Sequence, residues 1–500
     1  MSALEATPDS FSQDGWSPLA SPGVVAVSVM LATFMQVLDS TIVNVSLPHI
    51  GGNLSAGTNE TTWIITLYLM ASAIVLPTTG WFSRLFGRKK FYMACVVLFT
   101  LASCLCGLAP TLTWLIVFRI IQGLAGGAMQ PISQAIMLES YPVRKRGLGM
   151  AIFGIGVVCA PIIGPTLGGW ITDSYSWRWI FFINIPVGIL SLILTEMFVM
   201  DPPYLRRGVT RVDYLGLGML VIGIGALQLV LDRGQQEDWF ETSWITQLSI
   251  LSVACLAVLI IWELRIRHPI LELHVFRYVN FWPGTLLIFT LGIALYGSMV
   301  LLPIFLQNLL GYSALQSGMV MSPGGVATLI CMPLVGYLVG RKDSRYMIMF
   351  GLATMAVSML MMARYNLQIS FWNAAFPRII MGIGMAFLFV PLSTVAFSFM
   401  PHEQMGNATG IFNLMRNIGG SFGIAAVTTM LARRAQFHQA RLVENITPYN
   451  HGFRILSQKS IAQLMATGQT YWIAQKQTLG AAYGQLVRQA MTMAFIDASG

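Results

Sequence analysis

Apolar segments of about 20 residues recur from Val24 to Leu431, and this recurrence restricts the chain to very few folds. Hydrophobic residues make up 55% of the 500 residues. Charged residues make up only 10%, against about 25% in a soluble domain. Because backbone polar groups inside a bilayer must pair within the protein, such segments fold as helices. The sequence therefore predicts an all-α, multi-pass membrane protein, and its short loops before Arg433 exclude an enzyme.

The distribution of basic residues predicts the orientation of these segments. We predict thirteen spans, the first over Val24 to Leu47 and the last over Gly406 to Leu431. If the N-terminus is cytoplasmic, the cytoplasmic loops contain most of the Lys and Arg residues, whereas the other loops contain only Arg178, Arg233 and Arg364. The net charge of +9 is thus explained by topology, and no nucleic acid partner is expected. The six cysteines and six histidines show no metal-ligand or redox spacing, so no metal or cofactor is expected.

An internal repeat divides the chain. The segment RIIQGLAGGAMQP begins at Arg119, and RIIMGIGMAFLFVP begins at Arg378, 259 positions later. The same displacement pairs Pro142 with Pro401 and Gly147 with Gly406. Two six-helix halves separated by two extra helices are therefore predicted, with a substrate site near the midplane between the halves.

The predicted divisions follow from these spans. They are a cytoplasmic tail over 1–23, an N-terminal six-helix bundle over 24–200, two extra helices with linkers over 201–280, five recognised helices of the C-terminal bundle over 281–431, a long periplasmic loop with short amphipathic helices over 432–489, and the start of a last span over 490–500.

Asp39 is a carboxylate inside the first apolar segment. Gln36, Asp39, Ser40 and Ser46 share about a third of the helix circumference, which forms a polar stripe that lipid cannot solvate. Intramembrane acids usually mark an ion or proton pathway, and the alternative is a neutral Asp that only holds helices together. Arg119 is predicted at a similar depth on the fourth span, so the two side chains are expected to pair. Such a pair fits a proton-coupling site, although it is also compatible with a purely structural ion pair.

Two further motifs suggest moving parts and a loop at the inner face. The fifth span contains glycines and prolines that favour close packing and a kink, and it is predicted to be a hinge. The candidate hinge residues are Gly156, Pro161, Gly164, Pro165, Gly168 and Gly169. The candidate inner-face loop residues are Gly80, Arg84, Gly87, Arg88 and Lys89.

Polar residues inside the spans are candidates for the substrate cavity. They are Gln36, Asn44, Gln122, Asn413, Arg416 and Asn417. For Arg416, two interpretations are open: it lines the cavity and meets a substrate or Asp39, or it binds backbone carbonyls in a packed interface.

These segments together resemble the fourteen-helix drug:proton antiporters of the major facilitator superfamily, and especially the EmrB-type inner-membrane subunits of Gram-negative tripartite efflux pumps. The resemblance rests on LDSTIVNVSLP from Leu38, FRIIQG from Phe118, GPTLGG from Gly164, WRWIFFINIPVG from Trp177 and HPILELHVF from His268. It implies that Asp39 is the proton-translocating acid, that Arg119 is the motif arginine, and that Gly164 with Pro165 belongs to the antiporter motif. It also implies a periplasmic adaptor and an outer-membrane channel as partners.

The chain departs from that family in two places. Arg84 stands where the superfamily usually has Asp, which argues against a charge relay through this loop. The fourteenth helix is expected near Ala490, and the ten residues up to Gly500 are too few to cross about 30 Å, so a truncated last helix is predicted.

The sequence thus predicts an inner-membrane exporter of hydrophobic or amphipathic drugs and toxic compounds, driven by the proton gradient. Small lipophilic substrates, protons and membrane lipids are its expected partners. The alternatives are a dedicated exporter of an endogenous lipid, fatty acid or peptide, and a membrane sensor or scaffold that transports nothing. In the 432–489 segment, Ile461, Leu464 and Met465 share one helical face, and Leu479, Tyr483 and Leu486 share another. Two short amphipathic helices are predicted there, and they either recruit the adaptor or cap the bundle.

Overall fold

A computed structural model of the chain describes residues 20–142, 145–202, 213–266, 269–444, 446–447 and 449–499. Most of the predicted tail over 1–23, as well as His268, lies outside these ranges. The described ranges are helical, with no β-strand among them. The α-helices are α1 Pro22–Asn53, α2 Thr58–Thr61, α3 Trp63–Val75, α4 Thr79–Phe86, α5 Arg88–Leu108, α6 Leu112–Ser140, α7 Arg146–Ser174, α8 Trp179–Phe182, α9 Asn184–Phe198, α10 Tyr214–Arg233, α11 Ser243–Glu263, α12 Phe281–Ile304, α13 Ala314–Val339, α14 Ser344–Met362, α15 Phe371–Ala396, α16 Met405–Val443, α17 His451–Ala466 and α18 Tyr471–Ser499.

Within the described ranges, twelve helical segments are long and apolar enough to cross a bilayer. They correspond to the first twelve predicted spans, which confirms the all-α, multi-pass fold. The thirteenth predicted span falls within α16, which is not one of the twelve. Polar residues such as Asn413, Arg416 and Asn417 interrupt its apolar sequence, because this helix packs inside the bundle.

The helices reproduce the internal repeat. Helices α6 and α15 begin at Leu112 and Phe371, and helices α7 and α16 begin at Arg146 and Met405. Both pairs of starting points are 259 positions apart, the displacement that relates Arg119 to Arg378. The halves meet where α7 packs against α13 and where α6 packs against α16. The extra helices α10 and α11 pair with each other, and α10 also packs against α3 and α16.

At one end of the bundle, which we call the Gly80 end, the two halves are in backbone contact. A methyl group at Gly80 would lie 1.8 Å from Asn407 Oδ1 and 2.6 Å from Asn407 N, so only glycine fits there. On the next turn of α16, a methyl group at Gly410 would lie 2.6 Å from the Leu76 carbonyl oxygen. The two halves therefore approach each other closely at this end.

The predicted inner-face loop lies at the Gly80 end and forms ion pairs. The predicted tight turn is present, because Gly87 has a φ of +86°, a conformation that favours glycine. Arg84 pairs with Glu272, which precedes the second half, and Arg88 forms a buried pair with Glu139 on α6.

Lys89 completes the contacts of this loop with the first half. Its backbone N–H donates to Asp201 Oδ1 at 2.7 Å, and its Nζ atom lies 3.1 Å from Glu196 Oε2. All three cations among the candidate loop residues thus contact carboxylates, and the carboxylate that Arg84 contacts lies in the linker between the halves.

The C-terminal region differs from the prediction of a long loop over 432–489. Helix α16 continues without a break to Val443, and Leu479, Tyr483 and Leu486 belong to α18, a helix of 29 residues. This helix is about 44 Å long at 1.5 Å per residue, and it packs along α16 instead of beginning near Ala490. Polar residues along α18 concealed its length, because they interrupt the apolar pattern that identifies a span.

Buried contacts fix α18 against the second half. Phe495 is buried, with its ring centroid 4.3 Å from that of Phe305, and Arg488 Nε donates to the Leu309 carbonyl at 2.8 Å. Phe305 and Leu309 bound a single turn of π-helix, so Arg488 supports a distorted turn at the end of α12.

Candidate functional site

Asp39 on α1 and Arg119 on α6 form a fully buried ion pair. Arg119 Nη1 lies 2.5 Å from Asp39 Oδ2, and both side chains are inaccessible to solvent. The contact expected from their similar depth is therefore present. Removing one partner of such a pair would leave an uncompensated buried charge, which costs about 3–5 kcal/mol.

Two amides also donate to the Asp39 carboxylate. Gln122 Nε2 lies 3.0 Å and Asn184 Nδ2 lies 2.8 Å from Asp39 Oδ1. Arg119 Nη1 also donates to Gln122 Oε1 at 2.7 Å, so Gln122 bridges both members of the pair. Asn184 in turn donates to Ser103 Oγ at 2.9 Å. Helices α1, α5, α6 and α9 thus converge on one carboxylate.

An aromatic ring covers the arginine. Arg119 Cζ lies 4.0 Å from the ring centroid of Tyr68 on α3, a cation–π distance. Gln36 Nε2 donates to Tyr68 Oη at 3.2 Å. The sequence analysis missed Tyr68, Ser103 and Asn184. The signal for Asn184 was its place as a polar residue within the apolar WRWIFFINIPVG segment.

A cavity of about 250 Å³ lies between the halves, next to this network. Helix α1 contributes Gln36, Val37 and Ser40 to its wall, whereas Asp39 does not line it. Asp39 thus belongs to a helix that lines the cavity, and it lies between the wall residues Val37 and Ser40 in the sequence. A movement of α1 at Asp39 would therefore also move residues of the cavity wall.

The predicted cavity residues are distributed over three environments. Gln36 and Asn417 line the cavity, as expected. Gln122 does not line it, because its amide bridges Asp39 and Arg119. Asn44 is exposed, one turn along α1 from Ser40, and is not part of the lining.

The other two predicted residues lie at the interface between α6 and α16. Asn413 Nδ2 donates to Gln134 Oε1 at 2.6 Å, and Arg416 Nη2 donates to Gln130 Oε1 at 2.8 Å. Both are buried and neither lines the cavity. Of the two interpretations of Arg416, the packed interface describes its position, although its acceptor is a side-chain amide and not a backbone carbonyl.

The glycines and prolines of α7 face both the cavity and α1. Pro161 and Pro165 lie inside the helix and line the cavity. A methyl group at Gly164 would lie 2.2 Å from Thr41 Oγ1, and one at Gly168 would lie 3.1 Å from Ile42 Cγ2. At Gly156 the nearest atom is the flexible end of Met30, and at Gly169 nothing lies closer than 4.0 Å. The tight contact between α7 and α1 thus occurs within three residues of Asp39.

A family comparison agrees with this architecture. The model of the Major Facilitator Superfamily matches residues 29–424. The chain belongs to the major facilitator superfamily. As a member of this transporter family it is a transporter and not an enzyme.

Individual relatives confirm the resemblance to EmrB-type proteins. The chain is 38% identical to the multidrug export protein EmrB of Escherichia coli over 461 residues, covering 91% of this chain and 89% of EmrB. It is also 38% identical to the fatty acid resistance protein FarB of Neisseria gonorrhoeae over 452 residues, covering 90% and 88% of the two chains. A crystal structure of the human organic anion transporter MFSD10 matches with a TM-score of 0.62 at 13% identity, covering 95% of this chain and all of that one, and this likeness shows the fold alone.

Proposed function

We propose that this superfamily member is a proton-driven antiporter that exports hydrophobic or amphipathic compounds, drugs among them, across the bacterial inner membrane. The observation that carries the proposal is the buried Asp39–Arg119 pair, whose carboxylate lies on a helix that lines the cavity. A proton on Asp39 removes the charge that Arg119, Gln122 and Asn184 compensate. Proton binding then loosens α1 from α6 and α9, and the adjoining wall of the cavity changes shape. The proton gradient is the energy source, and no cofactor is needed.

The cavity supports lipophilic substrates. Its wall is made mainly of Val, Leu, Ile, Met, Pro and Gly residues. Apolar walls with few polar groups suit compounds that bind by burial of apolar area. The printed names of EmrB and FarB, multidrug export and fatty acid resistance, agree with such a substrate range. FarB also supports the second candidate function, a dedicated exporter of fatty acids or other endogenous lipids.

We place the N-terminus in the cytoplasm, since this puts the basic loops on the cytoplasmic side. The Gly80 end is then the cytoplasmic end, and α17 projects into the periplasm. In this orientation we propose a periplasmic adaptor and an outer-membrane channel as partners, with α17 available to the adaptor.

Proteoliposomes with an imposed pH gradient test the proposed function. The wild-type protein is expected to move a lipophilic dye against its gradient and to release protons in exchange, while Asp39→Asn abolishes both because it cannot carry a proton. Asp238→Asn is the matched control, since Asp238 is exposed at a turn with φ of +53° that Asn also adopts. Unchanged coupled transport in Asp39→Asn vesicles would refute the proton-site role.

A further inference from the structure

Arg378 on α15 is a buried cation in the cavity wall without a carboxylate partner in the described part of the chain. Arg378 is 7% exposed, and it is the only charged residue among the described residues that line the cavity. Nη1 contacts Ser298 Oγ at 3.2 Å and Met381 Sδ at 3.1 Å. Nε is buried and has no acceptor. An intramembrane charge without compensation is costly, so its presence here calls for a function.

The internal repeat shows which group Arg378 lacks in comparison with Arg119. The displacement of 259 that relates Arg119 to Arg378 also relates Asp39 to Ser298 and Gln122 to Met381. The contacts are repeated as well: Arg119 Nη1 binds Asp39 and Gln122, and Arg378 Nη1 binds Ser298 and Met381. The second half has therefore kept the arginine and its geometry. It has replaced the carboxylate with a hydroxyl group and the amide with a thioether, which is a weak acceptor.

The surroundings of Arg378 favour an anion. Among the described residues that line the cavity, none has an acidic side chain. Asp39, at the equivalent position of the first half, is paired with Arg119. A second buried cation, Arg416, lies behind the wall and donates to Gln130, which does line the cavity. The positive charge of this cavity is thus not balanced from within its walls.

We propose that Arg378 binds the headgroup of an amphipathic monoanion, a carboxylate or sulfonate on a single apolar chain, that enters the cavity. The anion takes the place that Asp39 occupies in the first half, and the guanidinium offers it a charge-assisted fork. The chain packs against apolar wall residues such as Leu295 and Met321. This inference rests on the proposed export function in one respect only, namely that the bound anion is a substrate.

Binding measurements on the purified full-length protein test the site. The protein is placed in nanodiscs of zwitterionic phosphatidylcholine, with empty nanodiscs as the blank for partitioning, and titrated with decanoate and decanesulfonate. 1-Decanol and decyltrimethylammonium are the neutral and cationic probes of the same chain length. The two anions are expected to bind more tightly than the other two probes. In Arg378→Gln the Kd of decanoate is expected to rise at least about tenfold, while that of decanol stays within about threefold.

A second variant leaves Arg378 in place. Ser298→Asp supplies an internal carboxylate within reach of Nη1, as at Asp39, and is expected to weaken decanoate binding at least about tenfold by occupying the guanidinium. Ser298→Asn has the same shape without the charge and is expected to keep decanoate binding. Size-exclusion profiles and apparent Tm values show whether each variant is folded, and Ser298→Asp is expected to raise the Tm because it compensates a buried charge.

Several results would overturn the inference. These are equal binding of decanol and decanoate by the wild type, undiminished decanoate binding in Ser298→Asp, or equal losses in Ser298→Asp and Ser298→Asn, which would indicate crowding. Competition by phosphatidylglycerol added to the nanodiscs would assign the site to a membrane phospholipid and overturn the assignment to a free single-chain anion.

The same probes separate this inference from the proposed function. Vesicles that export decyltrimethylammonium under a pH gradient, without charge-dependent binding at Arg378, would overturn the anion site and leave proton-driven export standing. Charge-dependent binding at Arg378 without export of any probe would overturn the proposed function and leave the site standing.

Discussion

The Asp39 carboxylate lies inside the bundle, where donors from two other helices surround it. Arg119 and Gln122 come from α6, and Asn184 comes from α9. Asn184 also donates to Ser103 on α5, so it links the carboxylate to a further helix. The contribution of Asn184 to the stability of the fold is therefore expected to depend on the carboxylate of Asp39.

A double-mutant cycle tests this coupling. Asn184→Leu alone is expected to lower the apparent Tm, because a buried carboxylate loses a donor at a cost of about 1–3 kcal/mol. In the Asp39→Asn background the same change is expected to cost less, with a coupling energy of about 0.5–3 kcal/mol. Thermal unfolding of the four purified proteins measures it. Gly218→Ala, at a site with open space around it, is the control and is expected to be additive. Additivity of Asn184→Leu as well would show that its bond to Asp39 contributes nothing.

For single residues, the sequence predicted the depth in the membrane but not the direction in which the side chain points. The positions of Asp39 and Arg119 along their helices were enough to predict that they meet. Tyr68 and Asn184 could not be found in this way, because their role depends on how α3 and α9 are rotated about their own axes. The same limit applies to Gln122 and Arg416, whose helices were placed correctly while their side chains bind other residues instead of lining the cavity.

Helix α7 packs against α1 close to Asp39, and Gly164 makes the tighter of the two glycine contacts there. At Gly164 there is no room for a methyl group beside Thr41, whereas Gly169 on the same helix has open space. Two prolines inside α7, Pro161 and Pro165, each remove one backbone hydrogen bond from this helix. These contacts suit an element that transmits a change at Asp39 to the cavity wall.

Gly164→Ala is accordingly expected to reduce coupled transport at least about tenfold, since the added methyl group forces α7 away from α1. Gly169→Ala adds the same methyl group five residues further on and is expected to have a much smaller effect. Transport rates in proteoliposomes, normalised to folded protein by size-exclusion chromatography, measure both. Equal effects of the two variants would indicate a general dependence on glycine and not the contact with Thr41.

The sequence predicted the helices of the bundle better than the region after them. Uninterrupted apolar segments identified twelve spans, and the glycines and prolines of α7 identified its special packing. The length of α18 was missed, because a helix that packs along α16 and contacts α12 through Arg488 needs only a few buried residues, such as Leu486 and Phe495. If the helices that contact α18 are not known, a few apolar residues at helical spacing predict only a short amphipathic helix.

On the scale of the whole molecule, the last two helices, α17 and α18, form a C-terminal hairpin. Its two helices differ in how much they are buried. Helix α18 packs against α16 and the end of α12, and a part-buried 2.9 Å hydrogen bond joins His438 on α16 to Asp497 on α18. Helix α17 has no buried residue. Its apolar residues Ile455 and Leu456 are 50% and 66% exposed, and Tyr449 just before it is 96% exposed. The transporter fold therefore includes α18, and α17 is the part of the hairpin available to another protein.

Surface variants of α17 test whether it recruits the proposed adaptor. Tyr449→Ser combined with Leu456→Ser removes exposed apolar area without touching the bundle, so proton-driven transport in proteoliposomes is expected to remain at the wild-type level. Co-purification of the proposed periplasmic adaptor and cellular resistance to exported compounds are expected to fall together, because both would depend on the assembled pump. Leu486→Ser is the contrasting variant, since Leu486 is buried on α18, and it is expected to lower the apparent Tm and the transport rate.

Retention of the adaptor by the double variant would place the docking surface elsewhere. Loss of transport in vesicles would instead make α17 part of the transporter itself.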